Sequence, residues 1–160
     1  MRILLCHERL LFRFGADRVM MLIARGLREM GHEIVTLANR FDRHIVETFA
    51  TRVLEVDPYS GNYAGLDEYA SSWIRDRWDL LFPTGSEPHI VLHGGWPFFS
   101  AIPFFRSRSV PVVFMDHGVV PSEGFSEGHA AVLARLKQLR REHLRHCSLI
   151  TAVSDFIIRT

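Results

Sequence analysis

The chain has 160 residues, room for one domain with a full core and too few for two. Hydrophobic residues at 48% and charged residues at 23% give the balance of a folded globular domain, which excludes a disordered chain. A formal net charge of +1 supplies no basic field for nucleic acid, and no apolar run approaches the ~20 residues of a membrane-spanning helix.

The opening Met1-Arg-Ile-Leu-Leu-Cys6 is too short for the apolar core of a secretory signal, and Glu8 follows at once. Cys6 and Cys147 are the only cysteines and lack C-x-x-C spacing, so a reducing cytoplasm is expected and no disulfide framework.

Arg2 to Cys6 reads as a buried first strand. A polar and aromatic loop leads to Asp17, the expected helix N-cap, and Val19, Ile23, Leu27 and Met30 then form one helical stripe that Gly31 ends. Strands follow at 33–38 and 53–56. The spacing predicts a helix over 66–81 with Trp73, Ile74 and Trp78 inward. A fourth strand, 89–93, closes on Gly94-Gly95, and a helix is expected from Pro97 at its first turn.

Pro111 opens the next strand, whose run Val112 to Met115 suits burial on both faces. Residues 128–146 form a long basic helix with Leu133, Leu136, Leu139 and Leu144 apolar, and a last strand spans 149–154. Alternation of strand and helix means an α/β fold, a Rossmann-like three-layer sandwich around a mostly parallel sheet of about six strands. The closing Asp155-Phe-Ile-Ile-Arg-Thr160 is barely one helical turn, so the natural chain is expected to continue past Thr160.

In such sheets ligands collect beyond the carboxyl ends of the strands. Gly15, ahead of a helix N-terminus, would let backbone approach a phosphate, or serves the loop alone. The loop lacks G-x-G-x-x-G and the chain has no Walker A sequence, which argues against nicotinamide cofactors and ATP. His93 and His117 each end a strand and precede a glycine, which would set both imidazoles on one rim near Gly15. Alternatively each bonds a neighbouring loop.

A metal would have to use Asp116, His117, Glu123 and His129, which lack H-x-H or H-E-x-x-H spacing, and none is expected. No G-x-S-x-G elbow or activated cysteine supports nucleophilic catalysis. Arg135, Lys137, Arg140, Arg141 and Arg145 make a face that is solvated, meets an acidic neighbour, or touches anionic lipid as a peripheral membrane contact. The aromatic stretches after Gly95 and Ala101 are core, or else one wall of an apolar acceptor pocket.

Four segments in order resemble the family 4 glycosyltransferases of the GT-B fold: residues 1–38 with their Gly-Ala-Asp-Arg turn and Gly-His-Glu, "PHIVLHGGW", "VPVVFMDHG" and "CSLITAVSDF". Phe14 stands where the turn's first glycine is usual, and Asp17 replaces a glutamate. The resemblance implies that residues 1–160 are the N-terminal, acceptor-side domain of a GT-B enzyme, with a C-terminal nucleotide-sugar-binding domain, carrying a Glu-x7-Glu motif, outside this chain. It implies sugar transfer from a nucleotide-sugar to a glycan, lipid or small-metabolite acceptor, with retention, in glycan biosynthesis, without metal or other cofactor.

By the same resemblance His117 is the catalytic candidate, hydrogen-bonding the donor sugar and positioning it rather than acting as general base. Gly15 and Ala16 face the donor phosphates, while Arg18, His93 and Trp96 lie on the acceptor side. The domain alone is expected to be inactive. The alternatives are a sugar- or phosphate-binding module without catalysis and another GT-B enzyme such as a sugar-nucleotide epimerase.

Overall fold

In the computed structural model, which describes residues 1–118 and 126–153, the period-two alternation of strand β1 (Arg2–Cys6) divides the core. Ile3 and Leu5 turn to one face of the sheet, while Leu4 and Cys6 turn to the other. The first face is covered by α1 (Gly15–Glu29), through Met20, Met21 and Ala24. The second lies under α3 (Leu66–Leu81), α4 (Ile102–Ser107) and α5 (Glu127–His143), whose Trp73, Trp78, Phe105 and Leu139 share one core cluster with Val112 and Phe114 of the sheet.

The remaining sheet strands are β3 (Glu33–Ala38), β5 (Arg52–Glu55), β6 (Ile90–His93), β7 (Val112–Asp116) and β8 (Leu149–Ala152). All pair in parallel, in the order β5-β3-β1-β6-β7-β8. Growth from β1 runs one way through β3 and β5, then restarts on its other side at β6. The switch point therefore lies between β1 and β6, whose last residues Cys6 and His93 are register partners. The expected α/β sandwich of about six strands is what forms. Among the described residues, no helix is long and apolar enough to cross a membrane.

A second element was not visible as a pattern. Beyond the sheet the chain makes a parallel ribbon of two residues each, β2 (Arg9–Leu10) with β4 (Arg40–Phe41), followed by the one-turn helix α2 (Arg43–Val46). Leu10 is fully buried there. Two-residue strands carry too little alternation to be read from sequence.

Four expectations change. Helix α1 begins at Gly15 with Phe14 as N-cap, so Asp17 sits inside the first turn rather than capping it. Its buried face is Asp17, Met20, Met21 and Ala24, an i, i+3, i+4, i+7 set, whereas Met30 is 72% exposed. The aspartate inside the set disguised it. Pro97 does not start a helix; it follows Trp96 through a cis peptide bond, and Pro103 is the proline in the first turn of α4. On β7, Val112 and Phe114 are buried but Val113 and Met115 only partly, packed at the margin of the core on the α1 face. The helix expected over 155–160, Ser154 of the last predicted strand, and Glu123 lie outside the described residues.

Gly31 ends α1 as expected, at φ +86 with its N–H on the Arg28 carbonyl. The α3 prediction holds along its whole length, and Trp78 is its anchor: its ring lies 4.8 Å from Phe82 and edge-on to Phe104 at 5.3 Å. Truncation of that ring leaves a cavity the neighbours cannot close. Trp78→Ala is expected to lower the unfolding free energy by about 3–5 kcal/mol, read as a reduced urea midpoint at unchanged slope.

Candidate functional site

The carboxyl ends of β1, β6 and β7 are tied together by buried polar groups. His7 directly follows β1 and is buried. Its Nδ1 lies 3.1 Å from the Gly94 carbonyl oxygen, and its Nε2 lies 3.0 Å from Oδ1 of Asp17 on α1. Both ring nitrogens thus lie within hydrogen-bond distance of an oxygen. Asp17, almost inaccessible, also accepts from the Leu11 N–H at 3.4 Å and faces Arg9 Nε at 3.4 Å. Gly94 permits this approach: a Cβ there would lie 2.6 Å from His7 Nδ1 and 2.8 Å from Met20 Cε.

Asp116, the last residue of β7, accepts from the Gly118 N–H at 2.9 Å through Oδ1 and from the Arg140 guanidinium of α5 through Oδ2. These bonds fix the backbone on both sides of His117. Between α1, α5 and the strand ends lies a cavity of about 170 Å³, lined by Ala16, Gly94, Gly95, Trp96, Phe99, Phe114, His117, Lys137 and Arg140 among others. His117 is half-buried, and its Nε2 is enclosed without a hydrogen-bond partner. Its pKa falls below the ordinary value because of burial first and then the neighbouring His7, against the opposing pull of Asp116 and Asp17. At neutral pH the ring is therefore uncharged, with a donor or acceptor to offer.

The expected residues are not placed alike. His117 and Ala16 line the cavity, and Trp96 lines it while stacking on Tyr63 at 5.5 Å. Gly15 opens α1 in open space. Arg18 is exposed, its guanidinium 4.9 Å from the Phe12 ring centroid. His93 does not share a rim with His117. It is fully buried between Phe99, at 5.3 Å, and Phe114, at 5.6 Å, and its Nδ1 accepts from the Gly95 N–H. The imidazole next to His117 is His7, with ring centroids 6.3 Å apart. A one-residue difference decides this: His93 is still inside its strand and points into the α3–α5 core, whereas His7 and His117 have each just left theirs.

Two contributors were missed in the sequence. His7 stood in a stretch read as loop, although its place directly after an apolar strand is the signal that flagged His117. Asp67 is wholly buried on α3 and accepts from the N–H groups of Phe99, at 2.7 Å, and Ser100, at 3.1 Å. It thereby caps the turn behind Trp96 from 32 residues away. Burial raises its pKa, and these same bonds oppose the rise. The basic face of α5 meets acidic neighbours, one of the readings its sequence offered: Arg140 holds Asp116 and Arg135 pairs with Glu68 at 3.0 Å.

Residues 15–160 match the family model described as Glycosyltransferase Family 4. No curated protein matches the chain. Among solved structures it is similar to the UDP-GlcNAc 2-epimerase of Methanocaldococcus jannaschii, at 9% identity and TM-score 0.56 over 99% of this chain and 41% of that one. It is similar also to HepE of Anabaena, solved in complex with UDP, at 15% identity and TM-score 0.54 over 94% of this chain and 37% of that one. The chain thus spans about two fifths of the length of these proteins. At such identities the likeness is one of fold.

Burial holds the His93 pKa down at about 4, helped by His7 and opposed by the Phe98 backbone. The folded state therefore binds fewer protons than the unfolded chain between pH 6.5 and 4. This contribution is complete above pH 6.5 and is lost as the pH falls to 4, on the order of 3 kcal/mol in all. Urea midpoints across that window are expected to decline more shallowly for His93→Phe than for the parent.

Proposed function

The chain belongs to glycosyltransferase family 4, and from that premise we propose that it forms the acceptor-side wall of a cleft in which a sugar passes from a nucleotide-sugar to an acceptor with retention of configuration. The other wall, with most of the nucleotide contacts, is supplied by a second domain. The enzyme works in a reducing cytoplasm, in keeping with the free thiols of Cys6 and Cys147.

One observation carries this reading: an uncharged imidazole with an unpartnered nitrogen, His117, lines a small cavity at the switch end of the sheet and is held on a backbone fixed by Asp116. A sugar hydroxyl is the kind of group such a nitrogen suits. It can donate or accept, and a fixed bond to the sugar costs little reorganisation when charge develops at the anomeric carbon. Ala16, at the start of α1, lies where backbone N–H groups and the positive helix end favour phosphate. Lys137 adds positive charge to the same cavity, while the charge of Arg140 is answered by Asp116.

The mechanism assigns this domain positioning rather than proton transfer. The neutral ring of His117 orients the donor sugar, and Trp96 and Phe99 keep water from one side of it. Charge on the departing diphosphate is met mainly by the second domain. Residues 1–160 alone are accordingly expected to transfer no measurable sugar from UDP-sugars, and measurable transfer by them would overturn the division of labour.

In the intact enzyme His117→Ala is expected to lower kcat roughly 10²-fold while the urea midpoint stays within experimental error. An unchanged kcat refutes the role of His117. Product analysis also separates transfer from epimerisation on the same fold, since only transfer consumes acceptor in step with nucleotide release.

A further inference from the structure

We propose a second ligand site in the cavity of about 410 Å³ walled by Arg9, Arg13 and Arg40 with Phe12 and Phe14, outside the crevice of His117. It takes an organophosphate: a phosphate group on the arginines, with an apolar portion laid on the two phenylalanines. This inference stands whether or not the domain takes part in sugar transfer.

The ribbon β2–β4 sets Arg9 directly beside Arg40 in register. Like charges in such positions repel and destabilise a strand pair. Arg9 has compensation nearby, with Asp17 at 3.4 Å and Glu8 at 3.9 Å. Arg40 and Arg13 have no acidic partner among the described residues. Asp42 is the acid on the wall, and its Oδ1 is engaged at the start of α2 with the Ile45 N–H. Two arginines without an ion pair among the described residues thus line one cavity, and Asp42 supplies the single negative charge on its wall.

A phosphomonoester, with close to two negative charges and three acceptor oxygens, balances both. Guanidinium forks suit its oxygens bidentately, and its three acceptors can engage both arginines at once.

The aromatic wall fits an amphiphile. Phe12 is 54% and Phe14 43% exposed, two large rings left open on either side of Arg13. Each ring already has an arginine over it, Arg9 at 3.9 Å from the Phe14 centroid and Arg18 at 4.9 Å from that of Phe12. Of the cavity arginines, Arg9 is held by the Phe14 ring, and both rings leave an apolar edge for the carbon part of a ligand. The volume falls within the range of small-ligand sites.

The test is calorimetric titration of the protein with sn-glycerol 3-phosphate at low ionic strength, alongside sedimentation with vesicles of phosphatidylcholine containing 20% phosphatidic acid, about the anionic share that makes surface charge count. The double variant Arg13→Ala/Arg40→Ala is expected to lose at least tenfold in affinity, and Arg141→Ala, on the outer face of α5, to lose none. Binding of glycerol phosphate identifies a soluble phosphomonoester as the occupant. Binding of the vesicles alone, abolished by the double variant, identifies a lipid head group. Vesicle binding that survives the double variant, no binding of either probe, or competition of glycerol phosphate by UDP would overturn the assignment, the last by placing the anion in the nucleotide site.

Discussion

One buried connection organises the working end of this domain: the Asp17 carboxylate, the His7 ring and the Gly94 carbonyl in line. It joins α1 to the ends of β1 and β6 at the point where the sheet reverses its direction of growth. Because Asp17 must face His7, the rotation of α1 is set, and Met20, Met21 and Ala24 follow it onto the sheet. A buried charge of this kind is tolerable only when every oxygen is matched. Here Leu11 and Arg9 meet the second oxygen, which draws the β2 ribbon into the same arrangement.

The same solution recurs twice around the cavity. Asp67 fixes the turn that carries Phe98 and Phe99, and Asp116 fixes the exit of β7 while holding Arg140. In each case a carboxylate on a regular element satisfies backbone donors just beyond a strand or ahead of a helix. The loops that shape the cavity are thereby held by rigid elements rather than by their own packing, which is the condition for a preorganised site. His117 stands in this frame with its Nε2 unpartnered, as is Nε1 of Trp96 on the same cavity.

Much of the fold was legible because it rests on local signals. The apolar runs of β1, β3 and β7 and the spacing of Trp73, Ile74 and Trp78 announce themselves within a few residues. The glycine after His117 and the apolar strand before it marked a site for the same reason. The face of α1 was misread because periodicity scores hydrophobicity, and an aspartate in the buried set counts against the true face until its partner is known. His93 and His117 looked equivalent because sequence does not record on which side of a strand's end a side chain falls.

The sequence by itself determined the α/β alternation, the parallel sheet, the family resemblance and the position of His117 at a strand end. Hydrophobic pattern and turn chemistry act over neighbouring residues, and so they can be read there. Only the tertiary structure decided that His7 rather than His93 stands beside His117, that Asp67 caps a turn 32 residues on, and that Arg9 and Arg40 face one cavity. Those facts depend on pairs as distant as His7 and Gly94, 87 residues apart. Contacts at such separation are made by packing the sheet and leave no mark in any local stretch of the chain.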